Sequence, residues 1–319
     1  MPSMSAPALK LFEVPPDLVR PALELCRGVN SLFDVAFYDV PTLVGDLRDH
    51  GVMVTSDGTP GASALDLSAL RDPEGSLLVV DAQRAPFVLR FGDVPAFLAW
   101  REETEERPTT ASITGVGSSA LGSAALAWDV SKALQRPVLA IVPGYGVADW
   151  LLQAFGGWLG FGLHDALGSK SLIQQSLALN APDLAWLGRR LSASAPGSRK
   201  APTGAPVFRT GCGSSDVLHD LMQATDISCV VGHSKGALSI GNALRSLPAA
   251  RVAGLTIVTL GCPIAEELAG ARYHQYLGLF DALGQANGWG HPPDAWLFAD
   301  HSTNTALPLS MDAEQLAAG

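Results

Sequence analysis

The amino-acid sequence predicts an α/β domain whose sheet is mainly parallel and covered by helices on both faces. Three observations point there. From Thr109 onward, short apolar strand candidates alternate with helical patterns. Pro137–Val142 is one continuous apolar run, as expected of a central strand buried on both faces. Ile227–Val231, rich in Val and Ile, leads into a glycine-bracketed turn and then a helix that lines up Ile240, Ala243, Leu244 and Leu247.

Taken in chain order, residues 1–75 carry the least pattern and read as an N-terminal extension, with a turn-rich break at Ser56–Gly61. Two short strands are expected at Leu77–Val80 and Phe87–Phe91, each bounded by Asp, Gly or Pro. Ala111–Thr114 is a strand that runs into Gly115-Val116-Gly117, followed by an alanine-rich helix over Ser118–Leu134. The apolar strand Pro137–Val142 ends at the turn Pro143-Gly144-Tyr145-Gly146. An insertion at about residues 150–202 mixes apolar helical stretches with a Ser/Pro/Gly/Lys-rich linker. Regular order then resumes. Strands are expected at Ala205–Arg209, Ile227–Val231, Ala253–Leu260, Tyr273–Phe280 and Trp296–Phe298, with helices at Ser215–Ala224 and Gly236–Leu247. There is no internal repeat.

Composition narrows the function. At 319 residues, 47% hydrophobic and 16% charged, the chain can bury a sizeable core. A formal charge of -10 without a Lys/Arg cluster argues against nucleic acid as a partner. The N-terminus lacks a basic segment followed by an apolar one, and the most apolar stretch, Trp150–Leu163, is shorter than the ~20 residues of a membrane span. Cys26, Cys212, Cys229 and Cys262 are scattered and read as reduced structural thiols of a cytoplasmic protein, without zinc-site spacing. No metal or organic cofactor is implied.

The strongest local signal is Gly232-His233-Ser234-Lys235-Gly236, the only copy of G-x-S-x-G in the chain. Its strand–turn–helix context suits a nucleophile. A serine on a tight strand-to-helix turn has a strained backbone, and side chains two residues either side would collide. The turn lifts the hydroxyl above the sheet. It also aims the next backbone N–H, that of Lys235, at a developing oxyanion near the helix N-terminus.

In these residues the sequence resembles the α/β-hydrolase superfamily. The resemblance covers roughly two thirds of the chain. It implies a three-layer α/β-hydrolase sandwich with a helical cap insertion, and a serine, acid and histidine in that chain order. Pro137–Gly146 is similar to the strand and loop that supply a second oxyanion donor in that family, which makes Tyr145 the donor. Pro143 stands where the family usually has histidine. Val116, in Gly115-Val116-Gly117, is the competing donor.

A serine hydroxyl needs a histidine to take its proton, and that histidine needs a carboxylate to hold its tautomer. The resemblance implies a histidine loop after the last strand, which makes His301 the base. His291 is the reserve, His274 sits inside a strand, and His233 should point elsewhere. The family's acid commonly closes a strand, which makes Asp281 the acid. Asp294 and Asp300 compete, as do Glu266 and Glu267 from a less common location. Trp150, Phe155 and Trp158 in the insertion form either an apolar acyl-binding wall or part of the core.

The expected activity is hydrolysis of a carboxylic ester, small-molecule or lipid-like, with a hydrophobic acyl group. Ser234 attacks, His301 shuttles the proton and Asp281 orients His301. The rival readings are an acyltransferase or thioesterase with the same residues, and a binding protein that keeps the fold without turnover.

Overall fold

Period-two alternation in the strands decides where the core lies. In Leu77–Val80, Leu78 and Val80 face one apolar cluster, and Leu77 and Val79 face another. In Val138–Ile141, Val138 and Ala140 join the first cluster and Leu139 and Ile141 the second. A sheet with both faces apolar must be covered twice. The computed structural model describes residues 30–55, 64–66, 75–115, 117–143, 213–244, 247–264, 267–288 and 291–318. The expected strand Ala205–Arg209, the insertion, Tyr145, Val116, Glu266, Cys26 and Cys212 lie outside them.

Two helices come first, α1 (residues 30–37) and α2 (Val40–Asp49), then a parallel pair of short strands, β1 (Met53–Thr55) and β2 (Ala64–Asp66). The main run follows as β3 (Leu77–Val80), β4 (Val88–Phe91), α3 (Val94–Glu103), β5 (Thr110–Ile113), α4 (Ala120–Leu134) and β6 (Val138–Ile141). After the insertion come α5 (Gly213–Ala224), β7 (Cys229–His233), α6 (Lys235–Leu244), α7 (Ala249–Val252), β8 (Thr256–Leu260) and β9 (Arg272–Gly278). The chain closes with α8 (Ala282–Asn287), β10 (Ala295–Leu297) and α9 (Ala313–Ala318). Eight strands form one sheet in the order β10-β9-β8-β7-β5-β6-β3-β4. Only β3 runs antiparallel to its neighbours β4 and β6; every other pairing is parallel. The expected mainly parallel α/β sheet is what forms.

The first cluster joins the sheet to α2 and α4 through Leu43, Leu47, Leu126 and Trp128. The second joins it to α3, α5 and α6 through Phe97, Leu218, Leu221 and Ile240. Each such buried side chain contributes ~1.5–3 kcal/mol. Local signals place the helix starts. Asp39, Asp93 and Ser119 accept from the backbone N–H of Thr42, Ala96 and Leu121, capping α2, α3 and α4.

Some boundaries differ from expectation for identifiable reasons. β7 runs two residues further, through Gly232 and His233, because His233 still pairs with Leu260 of β8. β8 begins at Thr256 rather than Ala253, because α7 and a turn at Gly254 (φ 79°) occupy the residues before it. Among the described residues no helix is long and apolar enough to cross a membrane.

Candidate active site

Because β5, β7, β8, β9 and β10 run parallel, their carboxyl ends share one edge of the sheet. Outside this edge is where open α/β sheets bind ligands. Ser234 stands there, between β7 and α6, with φ 53°. Its backbone N–H donates to Leu260 O at 2.8 Å, which ties the turn to the end of β8. The two glycines of the motif have separate jobs. A Cβ on Gly236 would lie 2.1 Å from Ile113 O of β5, and one on Gly232 would lie 2.6 Å from Ile240 Cδ1 of α6. Glycine there lets β5, β7 and α6 meet closely enough to hold the left-handed serine. Lys235 is buried as the first residue of α6.

Gly261, with φ 70°, follows Leu260 directly. A Cβ built on it would meet Asp281 Oδ2 and His301 Nδ1, each at 3.0 Å. The chain therefore carries the serine anchor on one residue and passes against the imidazole and carboxylate on the next. His301 Nδ1–H donates to Asp281, with both carboxylate oxygens at 2.8 Å. Asp281 is 1% exposed and His301 9%. Asp281 Oδ1 also accepts from Gly284 N at 2.6 Å, so the acid doubles as a cap of α8. A neutral imidazole that donates from Nδ1 keeps a lone pair on Nε2. Among the described residues Ser234 Oγ makes no hydrogen bond to that ring. Such bonds commonly close up only when substrate is bound.

The competing residues sit elsewhere or are otherwise engaged. His291 N donates to Gly288 O ahead of β10. His274 lies inside β9. Asp294 Oδ2 accepts from Gln275 N, Asp300 Oδ1 from Ser302 N, and Glu267 Oε1 from Gln275 Nε2. Cys262, next to Gly261, is buried, and burial, with the Asp281 charge second, pushes its thiol up to about 12. Among the described residues no group of three His, Cys, Asp or Glu side chains is arranged to hold a metal ion.

The sequence reading missed the part played by residues 30–39. The last turn of α1 leaves carbonyls without helical partners. The loop after His301 satisfies them: Asn304 Nδ2 donates to Val35 O at 2.7 Å, Ser302 Oγ to Ala36 O at 2.9 Å, and Thr303 N and Oγ1 to Phe37 O at 2.8 Å. Phe37 meets the His301 ring edge-on, with centroids 5.8 Å apart. A cavity of about 260 Å³ lies beside His301, walled by Phe37, Phe280, Leu283 and Leu307.

Tyr38 and His233 connect this segment to the serine. Tyr38 Oη lies 2.6 Å from Gly115 N and 2.8 Å from His233 Nδ1, and His233 Nε2 lies 2.8 Å from His301 O. Proton positions follow from the acceptors. A carbonyl can only accept, so His233 donates from Nε2. Burial first, then the neighbouring His301, pushes His233 down to about 3, so the ring is neutral and Nδ1 is an acceptor. Tyr38 O–H therefore donates to Nδ1, and its oxygen accepts from Gly115 N–H.

Asp34, also on α1, is fully buried and binds the start of α4. It accepts from Ser118 Oγ at 2.8 Å, Ser119 N at 3.1 Å and Ser119 Oγ at 2.5 Å. Burial pushes its carboxyl up to about 6 despite these bonds. An unfolded Asp ionises near pH ~4. With the folded value raised, this group's stabilisation is complete below pH ~4 and is lost as pH rises to about 6. We expect wild-type unfolding free energy in urea to fall by ~3 kcal/mol more than that of Asp34→Asn between pH ~4 and ~7. Equal losses in the two proteins would show that Asp34 is ionised in the fold at both ends of that range.

No family model matches the chain, and neither a curated protein nor a solved structure matches it.

Proposed function

We propose that this protein is a serine hydrolase of the α/β-hydrolase type, cleaving a carboxylic ester through an acyl-enzyme on Ser234. One observation carries the reading. A serine in left-handed backbone conformation at the carboxyl edge is anchored to Leu260, and the adjacent Gly261 packs against a buried His301–Asp281 pair bonded at 2.8 Å. In this reading Ser234 Oγ attacks the carbonyl carbon. His301 Nε2 takes its proton and returns it to the leaving alcohol, and Asp281 stabilises the imidazolium. Water then attacks the acyl-enzyme by the reverse sequence.

Strand order bears on the oxyanion hole. β5, not β6, is the neighbour of β7, and a Cβ on Gly115 at the end of β5 would lie 3.0 Å from Ser234 Cβ. That favours the loop containing Val116 over Tyr145 as the second donor beside Lys235. Gly115 N–H is already committed to Tyr38. The apolar walls of the cavity beside His301 favour a hydrophobic substrate.

The test is to treat the purified protein with a fluorophosphonate, map the adduct by peptide mass, and assay esters of increasing acyl length. Adduct on Ser234 together with ester turnover is the expected result. A folded protein that takes no label and turns over no ester would be a binding protein on this fold. Turnover only with an alcohol or thiol acceptor would make it an acyltransferase.

A further inference from the structure

We infer that Tyr38 and His233 are positioning residues for His301, tying its backbone both to the neighbour of the serine and to the end of β5. The inference rests on the hydrolase reading above and deepens it. Its basis is the continuous donor chain Gly115 N–H to Tyr38 Oη, Tyr38 O–H to His233 Nδ1, and His233 Nε2–H to His301 O, at 2.6, 2.8 and 2.8 Å.

Each link joins a different piece of the site. Gly115 borders Ser234, Tyr38 ends the α1 segment, His233 precedes Ser234 in the chain, and His301 carries the proposed base. Tyr38 is 2% exposed and His233 1%, so water cannot replace a lost link cheaply. The rings pack as well: Tyr38 meets His233 edge-on with centroids 5.2 Å apart, and His233 lies 4.9 Å from His301.

Asp281 alone holds the imidazole only at Nδ1. Rotation of the ring about that bond, or a shift of the loop, would still carry Nε2 away from the serine. Fixing the His301 carbonyl removes the second of these freedoms, the shift of the loop. Because the same chain of bonds starts at Gly115, it sets the distance between the histidine loop and the β5 loop across the serine. A displacement of ~1 Å at a reacting group is worth roughly 100-fold in rate.

The experiment compares wild type with Tyr38→Phe, His233→Phe and His233→Gln. Kinetics are run on the ester panel and imidazole NMR on the same proteins. Phe at 233 keeps ring volume and loses both bonds; Gln restores a donor near the Nε2 position; Phe at 38 removes one oxygen. The expected kcat losses are roughly 100-fold for His233→Phe and ~10-fold for Tyr38→Phe, with KM within about 2-fold. His233→Gln should recover to within ~5-fold of wild type.

In the NMR arm, wild-type His233 should be the neutral Nε2–H tautomer. The downfield His301 Nδ1–H proton should persist in His233→Gln and broaden away in His233→Phe. A folded His233→Phe protein with wild-type kcat and an intact His301 proton signal would overturn the tether, as would an Nδ1–H tautomer at His233. If His233→Phe does not fold, Tyr38→Phe and His233→Gln decide by the same readings. Should wild type neither take label nor turn over ester, the hydrolase reading falls by itself, and the NMR signals alone decide whether the tether exists.

Discussion

Ser234→Ala abolishes ester hydrolysis and fluorophosphonate labelling while the protein stays folded; that is the largest effect expected of any single substitution. Ser234 Oγ accepts or donates no hydrogen bond within the described fold, so its removal orphans no partner. What holds the turn is backbone: Ser234 N–H to Leu260 O at 2.8 Å and Ala237 N–H to Ser234 O at 3.0 Å. Both bonds survive in the variant. Stability should therefore change by less than ~1 kcal/mol, as for a substitution that makes no cavity and leaves no buried polar group unpaired. The rate should fall by about 10⁴–10⁶, because the remaining groups have nothing to activate. Thermal unfolding and ester turnover on the same preparation check both halves. A folded Ser234→Ala protein with undiminished turnover would remove the serine from the chemistry altogether.

The serine turn was legible because its cause is local. Gly232 and Gly236 exclude Cβ atoms that would meet Ile240 and the Ile113 carbonyl, and both constraints leave a mark within five residues of sequence. The family resemblance pointed to Asp281 and His301 after the last strands, and the structure brings these two side chains to 2.8 Å. The loop bordering the serine was harder to read. Chain order does not say that β5, rather than β6, lies beside β7; crossover packing decides that, and Gly115 thereby reaches Ser234 while β6 lies one strand further away.

Residues 30–38 were illegible for a more specific reason. Their helix is inverted. Asn30, Asp34 and Tyr38, spaced four apart, are buried at 0%, 0% and 2%, whereas Leu32 and Val35 are 73% and 46% exposed. A reading by hydrophobic periodicity would turn the wrong face inward. Burying a polar stripe requires partners. Those partners are Ser118 and Ser119 for Asp34, and Gly115 and His233 for Tyr38, all 77 or more positions away in the chain. Such a stripe makes sense only once the tertiary structure is known. It is also why a segment without sequence pattern contributes to the site.

Asp281→Asn should lower kcat by about 10³–10⁴ while leaving KM within about 2-fold and stability nearly unchanged. The argument follows from where each carboxylate oxygen is used. Asp281 Oδ1 accepts from Gly284 N at 2.6 Å, and the buried carboxylate faces His301 Nδ1 at 2.8 Å. In the variant the Asn carbonyl oxygen can keep the Gly284 bond, and Asn is as good a helix cap as Asp. The amide NH₂ then stands where Oδ2 did, 2.8 Å from the imidazole Nδ1. Two donors cannot face each other, so the ring must present a lone pair at Nδ1 and carry its proton on Nε2. That is the nitrogen which has to accept the serine proton, so the base is lost through the wrong tautomer with no change of shape. Asp294→Asn is the internal control. Its carboxylate accepts from Gln275 N at 2.8 Å in the middle of β9 and, among the described residues, makes no bond to His301, so the variant's kcat should stay within about 2-fold of wild type. Imidazole NMR of Asp281→Asn should show His301 with its proton moved to Nε2. A variant that kept more than about a tenth of wild-type kcat would mean that Asp281 serves α8 as a cap and not His301 as its orienting acid.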